Sequence, residues 1–380
     1  MKVIFVCGGS AGHINPALAI AAEMRRIAPD SEILFIGADK KLEKKLVPAA
    51  GFELVNIKMS GLRRGFYPKD IVHNIKTAIN LITANRKSKA ILKDFKPDAV
   101  IGTGGYISYP VIKRAARLGI PTFLLEPNAY PGLAVRMLSG IVDTVFVTYK
   151  DLENHYKRPE RVLYTGTPLR SEFFETDEVS KTDEHEELPL VISYWGSLGA
   201  AKMNDIIIEF IKLNSIDGKF RHIHATGVSI STEKTISRLN ELGISEISTP
   251  FIDVREYIDN MPSTMKSADL IISRAGASTI AELTSLGKPA ILIPSPNVTE
   301  NHQEANAKQL QNTGGAIMIL ERDCSGKVLY ESVLSLLDDR EKLKRMSESQ
   351  ESLAEKNAAS NIVEEVIKRC NPERLVEGTS

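Results

Sequence analysis

Four apolar runs in this chain each lead into a glycine-rich turn, and a helix-like segment follows each turn. The first is the clearest, because the run at residues 3–7 is followed by Gly-Gly-Ser-Ala-Gly-His at residues 8–13. The other turns begin near residues 102, 196 and 274. Strands that alternate with helices form parallel sheets with helices on both faces. The pattern predicts an α/β fold that binds ligands at the carboxyl ends of its strands.

The first turn combines two features that suit ligand binding. Glycine lets the backbone approach a ligand closely, and a helix that begins directly afterwards offers N–H groups to anionic oxygens. His13 adds a titratable base beside that cradle. Close packing without any ligand remains an alternative, since neither the dinucleotide fingerprint nor the P-loop pattern is present.

The chain is expected to form two doubly wound domains. Residues 171–189 are acidic and without periodicity, which is typical of a linker, and the strand–turn–helix pattern restarts after them. We expect an N-terminal domain at residues 1–165, a C-terminal domain at 166–350, and a terminal helix with a tail at 351–380. Two glycine turns fall in each half, which predicts a cleft shared by the two domains.

Composition indicates a globular protein of a reducing compartment. Hydrophobic residues make up 43% and charged residues 25% of the chain. We expect no membrane span and no signal peptide, because every apolar run is short and the chain enters a strand at once. The three cysteines are too widely spaced for a disulfide framework or a metal site, which favours the cytoplasm.

The net charge of zero hides an asymmetry between the two halves. Residues 1–165 hold 25 Lys and Arg against 14 Asp and Glu, a net of +11, and residues 166–380 hold 23 against 34, a net of −11. A basic half suggests that it binds an anionic partner. The candidates are a nucleic acid, a phosphorylated substrate and a membrane surface. No nucleic-acid-binding module is recognisable, so we expect no nucleic-acid partner.

Seven short motifs occur in an order that is specific even though each alone is weak. Through them the chain resembles the MurG family of N-acetylglucosaminyltransferases from about residue 2 to about residue 320. The motifs lie at residues 8–19, 102–106, 126–132, 166–170, 196–200, 273–282 and 302–307.

This resemblance implies a GT-B fold of two Rossmann-like domains that face each other across a cleft. The implied reaction is inverting transfer of N-acetylglucosamine from UDP-N-acetylglucosamine to lipid I, undecaprenyl-pyrophosphoryl-N-acetylmuramoyl pentapeptide. The product, lipid II, serves peptidoglycan synthesis and therefore cell wall biogenesis, cell shape and cell division. The C-terminal half would bind the donor, and the N-terminal half would bind the acceptor and the membrane.

The resemblance also assigns binding residues. Glu282 matches the acid that holds the donor ribose, Arg170 a phosphate-facing arginine, and Ser197 a residue at a helix start that meets the pyrophosphate. The other donor-binding matches are Ser10, Ala11, Gly12, Asn128, Ile252, Ala277, Ser278, Thr279, Ile280, Ala281 and Gln303. The acceptor, through its pyrophosphate, is expected at the first turn and at Thr103, Gly104, Gly105 and Tyr106.

Two residues compete for the catalytic proton transfer. His13 is the candidate base for the attacking hydroxyl, and Glu126 is its rival or the residue that orients it. No Asp-x-Asp pair occurs, so we expect neither a bridging metal nor a cofactor. Ala11 stands where the family more often has glycine, and alanine fits only if that position avoids positive φ.

A second candidate surface concerns the membrane. Residues 59–69 mix aromatic, apolar and basic side chains, and the following helix carries Ile75, Ile79 and Ile82 among lysines and arginines. Peripheral binding to the anionic inner leaflet, at the cytoplasmic face of the bacterial membrane, would use them. The alternative, which we favour for most of these isoleucines, is packing in the core.

Three other functions remain open from the sequence. A UDP-N-acetylglucosamine 2-epimerase would use the same fold without any lipid. A non-catalytic partner that binds sugar nucleotides or recruits others to the membrane would not need His13. A transferase of the same family acting on another lipid, such as diacylglycerol, would differ in its acceptor.

Overall fold

The computed structural model describes residues 1–39, 41–61, 67–150, 152–174, 188–245, 248–298 and 301–370. The chain separates into two compact units. Unit 1 comprises Met1–Arg170 and Glu355–Ser380, and unit 2 comprises Ser171–Ala354. The sequence analysis puts these boundaries at residues 165 and 350. The prediction of an α/β fold with two Rossmann-like domains is confirmed, since each unit holds one parallel sheet with helices.

Unit 1 contains a seven-stranded parallel sheet in the order β3-β2-β1-β4-β5-β6-β7. Val6 at the end of β1 is in register with Gly102 at the end of β4, so the turns after both strands leave the same edge. The strands are β1 (Lys2–Val6), β2 (Glu32–Gly37), β3 (Glu53–Asn56), β4 (Ala99–Gly102), β5 (Thr122–Glu126), β6 (Thr144–Val147) and β7 (Val162–Tyr164).

Two apolar layers cover this sheet, one on each face. Val3 and Phe5 of β1 belong to one layer, and Ile4 and Val6 belong to the other, as the alternation of side chains along a strand requires. The helices of this part of unit 1 are α1 (Ala11–Ile27), α2 (Lys41–Ala49), α3 (Pro68–Phe95), α4 (Ser108–Arg117) and α5 (Leu133–Leu138).

Unit 2 contains a six-stranded parallel sheet in the order β10-β9-β8-β11-β12-β13. Its strands are β8 (Leu190–Tyr194), β9 (Arg221–Ala225), β10 (Ile252–Arg255), β11 (Leu270–Ser273), β12 (Ala290–Leu292) and β13 (Ala316–Met318). Its helices are α6 (Ala201–Asp217), α7 (Thr232–Glu241), α8 (Met261–Ser267), α9 (Ala277–Ser285), α10 (His302–Asn312), α11 (Gly326–Leu337) and α12 (Arg340–Glu351).

The last helix, α13 (Ala358–Cys370), belongs to unit 1 and packs against α1. Ile362, Val363 and Val366 are fully buried in the same apolar layer as α1. The Ser360 hydroxyl also donates a hydrogen bond of 2.5 Å to Glu23. Burial of this apolar face explains why the chain returns to unit 1 at Glu355. Within the described residues, no helix combines the length and apolar character that crossing a membrane requires.

Candidate functional site

The first glycine turn places His13 at the carboxyl edge of the unit 1 sheet. Helix α1 begins at Ala11, so His13 lies in its first turn. The His13 Nδ1 atom lies 2.9 Å from the Thr103 carbonyl oxygen, and the Thr103 hydroxyl donates to the His13 carbonyl at 2.6 Å. A carbonyl oxygen only accepts, so Nδ1 carries the proton of the neutral ring. Nε2 is therefore the basic nitrogen.

The turn after β4 packs directly on this histidine. Gly104 and Gly105 have φ values of +103° and +77°. A Cβ on Gly104 would lie 2.5 Å from His13 Nδ1, and a Cβ on Gly105 would lie 2.5 Å from the Gly8 carbonyl oxygen. The structure thus brings Thr103, Gly104 and Gly105 together with His13 and leaves no room for larger residues there.

Tyr106 completes this cluster in unit 1. Its ring lies 3.8 Å from where a Cβ on Gly9 would stand and 3.0 Å from where one on Gly61 would stand. Burial, followed by the charge of Glu43, raises the pKa of the Tyr106 phenol above its usual range. The ring remains half-exposed, so it can present its hydroxyl to a ligand.

The backbone of the first turn differs in part from the sequence expectation. Ser10 precedes α1 in an extended conformation and its carbonyl accepts the N–H of His13, while Ala11 and Gly12 are the first helical residues. Ala11 avoids positive φ, so alanine fits. The Gly9 N–H does not face an anion site, because it donates to Glu43 Oε1 at 2.9 Å.

Glu43 is a residue of this site that the sequence analysis missed. It lies on α2, is fully buried, and reaches beneath the first turn. The only signal in the sequence is indirect. Gly8 and Gly37 make room for it, since a Cβ on either would contact the Glu43 side chain, at 2.6 Å and 3.3 Å.

Glu126, at the carboxyl end of β5, holds the loop that follows it. Its side chain is 2% exposed. Oε1 accepts from the backbone N–H and the side-chain amide of Asn128, at 3.0 Å and 2.9 Å, and Oε2 accepts from the Gly132 N–H at 2.7 Å. Burial raises the pKa of Glu126, and these hydrogen bonds oppose the rise. Because both oxygens are engaged, the geometry favours the orienting role over the base.

In unit 2, the turn after β11 opens directly into α9. Gly276 precedes the helix without a side-chain cap, and Asn306 holds the turn by donating to the Ala275 carbonyl at 3.1 Å. The Ser278 hydroxyl is buried and has no hydrogen-bond partner within the described residues. Five predicted donor-binding residues thus form the first turns of α9, namely Ala277, Ser278, Thr279, Ile280 and Ala281.

Glu282 and Gln303 lie near the same edge of the unit 2 sheet. Glu282 is half-buried on α9, and its charge contributes, after burial, to raising the pKa of Tyr194. Gln303, in the first turn of α10, accepts the Ser295 N–H at 2.9 Å and so shapes the loop after β12. Both are placed where strands end, as the sequence analysis expects.

The nearby Arg274 has a structural role instead. It pairs with buried Glu321 at 2.5 Å and donates to the carbonyls of Ile293 and Pro294. Its guanidinium therefore joins β11 to the chain after β12. Arg170, in contrast, is exposed at the end of unit 1 and not in the C-terminal unit where the sequence analysis puts it.

Ser197 lies in a turn and not at a helix start as expected. The turn at residues 196–199 precedes α6, which begins at Ala201. Its geometry is set by glycine, because a Cβ on Gly199 would lie 2.1 Å from the Thr226 carbonyl oxygen. The Ser197 carbonyl accepts the Val228 N–H at 3.1 Å. Two loops thus interlock in unit 2, as two do in unit 1.

Ile252 lies apart from the other donor-binding predictions of unit 2. It begins β10, is 6% exposed within the core, and its N–H donates to Thr249. The amino end of a strand is opposite the edge where the other residues lie. Ile258, three residues after β10 ends at Arg255, is also buried.

The expectation that most isoleucines of α3 pack in the core is wrong. Five apolar residues on one side of this helix are between 53% and 58% exposed, while Thr77 and Ser88 are buried on the other side. The exposed five are Ile71, Val72, Ile75, Ile79 and Ile82. Lys76, Arg86, Lys87 and Lys89 are exposed on the same helix. Residues 62–66 of the predicted membrane segment lie outside the described residues.

Comparisons with known proteins match both units. The glycosyltransferase family 28 N-terminal domain matches residues 3–147, and the C-terminal domain of that family matches residues 192–366. The chain is 42% identical to the UDP-N-acetylglucosamine–N-acetylmuramyl-(pentapeptide) pyrophosphoryl-undecaprenol N-acetylglucosamine transferase of Acetivibrio thermocellus, over 96% of this chain and 97% of that protein. It is 40% identical to the transferase of the same name from Caldanaerobacter subterraneus, over 95% and 98%.

Solved structures show the same fold. The crystal structure of Acinetobacter baumannii MurG has a TM-score of 0.72 at 23% identity, covering 97% of this chain and all of that one. A UDP-GlcNAc 2-epimerase from Neisseria meningitidis, bound to UDP-GlcNAc, has a TM-score of 0.69 at 15% identity, covering 97% of this chain and all of that one. At these identities the likeness extends to the fold alone.

Proposed function

The chain belongs to glycosyltransferase family 28 and, within it, to the MurG family, and on that basis we propose that it is a hexosyltransferase. It moves N-acetylglucosamine from UDP-N-acetylglucosamine to lipid I and forms lipid II for peptidoglycan synthesis. The observation that carries this proposal is the 42% identity, over both units, to a relative named for this transfer.

Unit 1 supplies the base in this proposal. The acceptor hydroxyl oxygen bonds to the anomeric carbon as the bond from that carbon to the UDP oxygen breaks, with inversion. UDP leaves with the bonding electrons, and the hydroxyl proton passes to Nε2 of His13. The hydrogen bond from Nδ1 to Thr103 supports this role, because it fixes the tautomer whose other nitrogen is basic. Glu126 orients the loop that carries Asn128.

Unit 2 holds the donor. The N-terminus of α9 directs backbone N–H groups towards the diphosphate, together with the Ser278 hydroxyl, which has no partner within the described residues. Ser197 contributes a further donor, and Arg170, at the end of unit 1, is the phosphate-facing arginine that the resemblance implies. A carboxylate at Glu282 accepts two hydrogen bonds from the ribose hydroxyls. Gln303 contacts the sugar hydroxyls. These groups stabilise the charge that develops on the departing UDP.

The first turn is a poor site for the acceptor pyrophosphate. A buried carboxylate beneath it repels a second anion, and the Gly9 N–H is already engaged. We therefore propose that the pyrophosphate contacts the turn at residues 103–106, and that a neutral saccharide faces the first turn beside His13.

Helix α3 docks the enzyme on the anionic inner leaflet, at the cytoplasmic face of the membrane. Its exposed isoleucines supply apolar burial, and each nearby lysine or arginine contributes about 1 kcal/mol at low salt. Co-sedimentation with anionic vesicles tests this. We expect Ile75→Ser/Ile79→Ser to lose binding, and Ile216→Ser, at an exposed isoleucine of unit 2, to retain it. Binding that is unchanged in high salt would contradict the electrostatic part.

The transfer itself is tested with labelled UDP-N-acetylglucosamine and a lipid I analogue. We expect a labelled disaccharide lipid only when the enzyme and both substrates are present. The 2-epimerase alternative predicts instead that UDP-N-acetylglucosamine alone is converted to its 2-epimer. That result, without any lipid product, would overturn the proposal.

A further inference from the structure

Glu43 stands out among the buried ionisable groups because part of its carboxylate is unsatisfied. Oε1 accepts the Gly9 N–H, whereas Oε2 is buried and has no hydrogen-bond partner in the described part of the chain. No ion pair of Glu43 occurs there either. A buried carboxylate with one oxygen unsatisfied destabilises the folded state, so burial alone does not account for its presence.

The surroundings of Glu43 are shaped to admit it. The Oε1 atom lies 2.6 Å from where a Cβ on Gly8 would stand, and the Glu43 Cβ lies 3.3 Å from where one on Gly37 would stand. Burial and the charge of Glu43 together raise the pKa of the Cys7 thiol. The carboxylate thus lies between the end of β1, the end of β2 and the first glycine turn.

The hydrogen bond of Glu43 fixes the conformation of the first turn. Gly9 has a φ of +94°, a conformation that a turn of small residues does not hold by itself. The hydrogen bond from its N–H to Oε1 fixes it, and Ser10 then begins the helix that bears His13. On the other side the turn is limited by Gly105, whose Cβ would meet the Gly8 carbonyl. The turn is therefore clamped from both sides.

We propose that Glu43 is a positioning residue for the transfer reaction, which holds the Gly8–Gly9 turn so that His13 meets the acceptor hydroxyl. The inference rests on the proposed function. It makes the hydrogen bond from Gly9 essential for kcat, while the charge and burial of the carboxylate contribute nothing favourable to stability.

Two substitutions separate these roles. Glu43→Gln keeps the accepting oxygen and the shape of the side chain, and Glu43→Met keeps an unbranched side chain of similar size without the acceptor. We expect Glu43→Gln to retain kcat within about threefold. We expect Glu43→Met to lose kcat by at least about tenfold, as a misplaced catalytic group does, with the KM for the donor unchanged. The melting temperature of Glu43→Met should be equal to or above that of the unmodified enzyme.

Val47→Ala is the matched control on the same helix. Val47 lies four residues after Glu43 on the same helix and is fully buried in the apolar layer, and it is not among the residues assigned to the site. Its truncation should lower the melting temperature and leave kcat in place. Loss of activity without loss of stability in one variant, and the reverse in the other, is a pattern that a merely structural role of Glu43 cannot produce.

The outcomes are decisive in both directions. If Glu43→Met keeps kcat within threefold while the unmodified enzyme is active, the inference is overturned and the proposed function stands. If Glu43→Gln loses as much as Glu43→Met, charge and not the hydrogen bond matters, and the inference is again overturned. Absence of transfer by the unmodified enzyme would overturn the proposed function and this inference with it. Should Glu43→Met fail to fold, judged by circular dichroism and the absence of a cooperative melting transition, Glu43→Leu replaces it.

Discussion

Both units form turns between a strand and the helix that follows it, but the side chains that hold these turns are charged in unit 1 and uncharged in unit 2. In unit 1 buried carboxylates accept the loop amides, Glu43 at Gly9 and Glu126 at two further positions. In unit 2 uncharged amides hold the corresponding turns. Asn204 and Asn306 donate to the carbonyls of Thr226 and Ala275, and Gln303 accepts the Ser295 N–H. The buried carboxylate of Glu321 in unit 2 is paired with Arg274. Under the proposed function, a unit that receives a diphosphate gains from turns without an uncompensated buried negative charge, whereas a unit that stabilises a protonated imidazole gains from nearby carboxylates.

Unit 2 also contains a chain of hydrogen bonds between buried, uncharged side chains. Asn204 donates to Thr226, so its oxygen accepts from His224 Nε2. His224 Nδ1 must then accept from Ser193, whose oxygen accepts from His222 Nε2. His222 Nδ1 ends the chain as a buried acceptor without a partner among the described residues. Every member is neutral, and the chain leads to the loop that interlocks with residues 196–199.

The largest expected effect concerns the base of unit 1. His13→Ala should lower kcat by about 10²- to 10⁴-fold, because the attacking hydroxyl loses its proton acceptor. UDP affinity should not change, since we assign nucleotide binding to unit 2. Steady-state kinetics and calorimetry with UDP check the two halves of this prediction. Turnover within a few-fold of the unmodified enzyme at pH 7 would remove His13 as the base.

In unit 2 we expect Glu282→Ala to weaken donor binding. Loss of two charge-assisted hydrogen bonds to the ribose should raise the donor KM by about 10- to 100-fold. The KM for the acceptor should stay constant. Glu304→Ala, at a half-buried glutamate of α10 that pairs with Lys308, is the control. A change in acceptor KM with donor KM intact would reverse the division of roles between the units.

A smaller effect is expected from pH. Burial lowers the pKa of His224 to about 3 and holds that of His222 well below its usual range. The folded protein keeps both rings neutral, while the unfolded chain binds protons below about pH 6.5. Stability is therefore complete above that pH and falls as the pH drops from about 6.5 towards 3, by roughly 1 kcal/mol per pH unit for each ring.

Denaturant unfolding between pH 7.5 and 5 measures this slope. His222→Phe, beside the rings of Phe210 and Phe220, should reduce it by about half. His155→Phe, at an exposed histidine of unit 1, should leave it unchanged. An equal slope in all three proteins would show that the neutral chain does not govern acid stability.

The smallest expected effect is that of a chelator. If the N-terminus of α9 and Arg170 suffice for the departing diphosphate, EDTA should leave the transfer rate unaltered. Loss of activity in EDTA, with recovery on adding magnesium, would show that a cation shares this work.

Local patterns predicted much of the fold and part of the site. The order of strand, turn and helix depends on residues that are neighbours in the sequence. The sheets, the position of His13 in the first turn of a helix and the start of α9 could therefore be predicted. Glu43 does not follow, because it reaches the first turn from a helix more than thirty residues later. The sequence does not show which end of its strand Ile252 occupies, and the structure places it at the amino end.

Helix α3 shows a different limit. Periodicity identifies which residues share a side of a helix, but it does not say which side is buried. Apolar residues normally face the core, and in α3 Ala84 and Leu92 do so together with the polar residues Thr77 and Ser88. Both sides of α3 therefore carry apolar residues, so hydrophobicity alone did not identify the exposed side.

Hydrogen exchange with and without UDP tests the division of roles most directly. Saturating UDP should slow amide exchange at residues 273–281, 196–199 and 295–303 of unit 2, and leave residues 8–13 and 102–106 of unit 1 unchanged. Protection confined to the turns of unit 1, with α9 unaffected, would contradict the assignment of the nucleotide to unit 2.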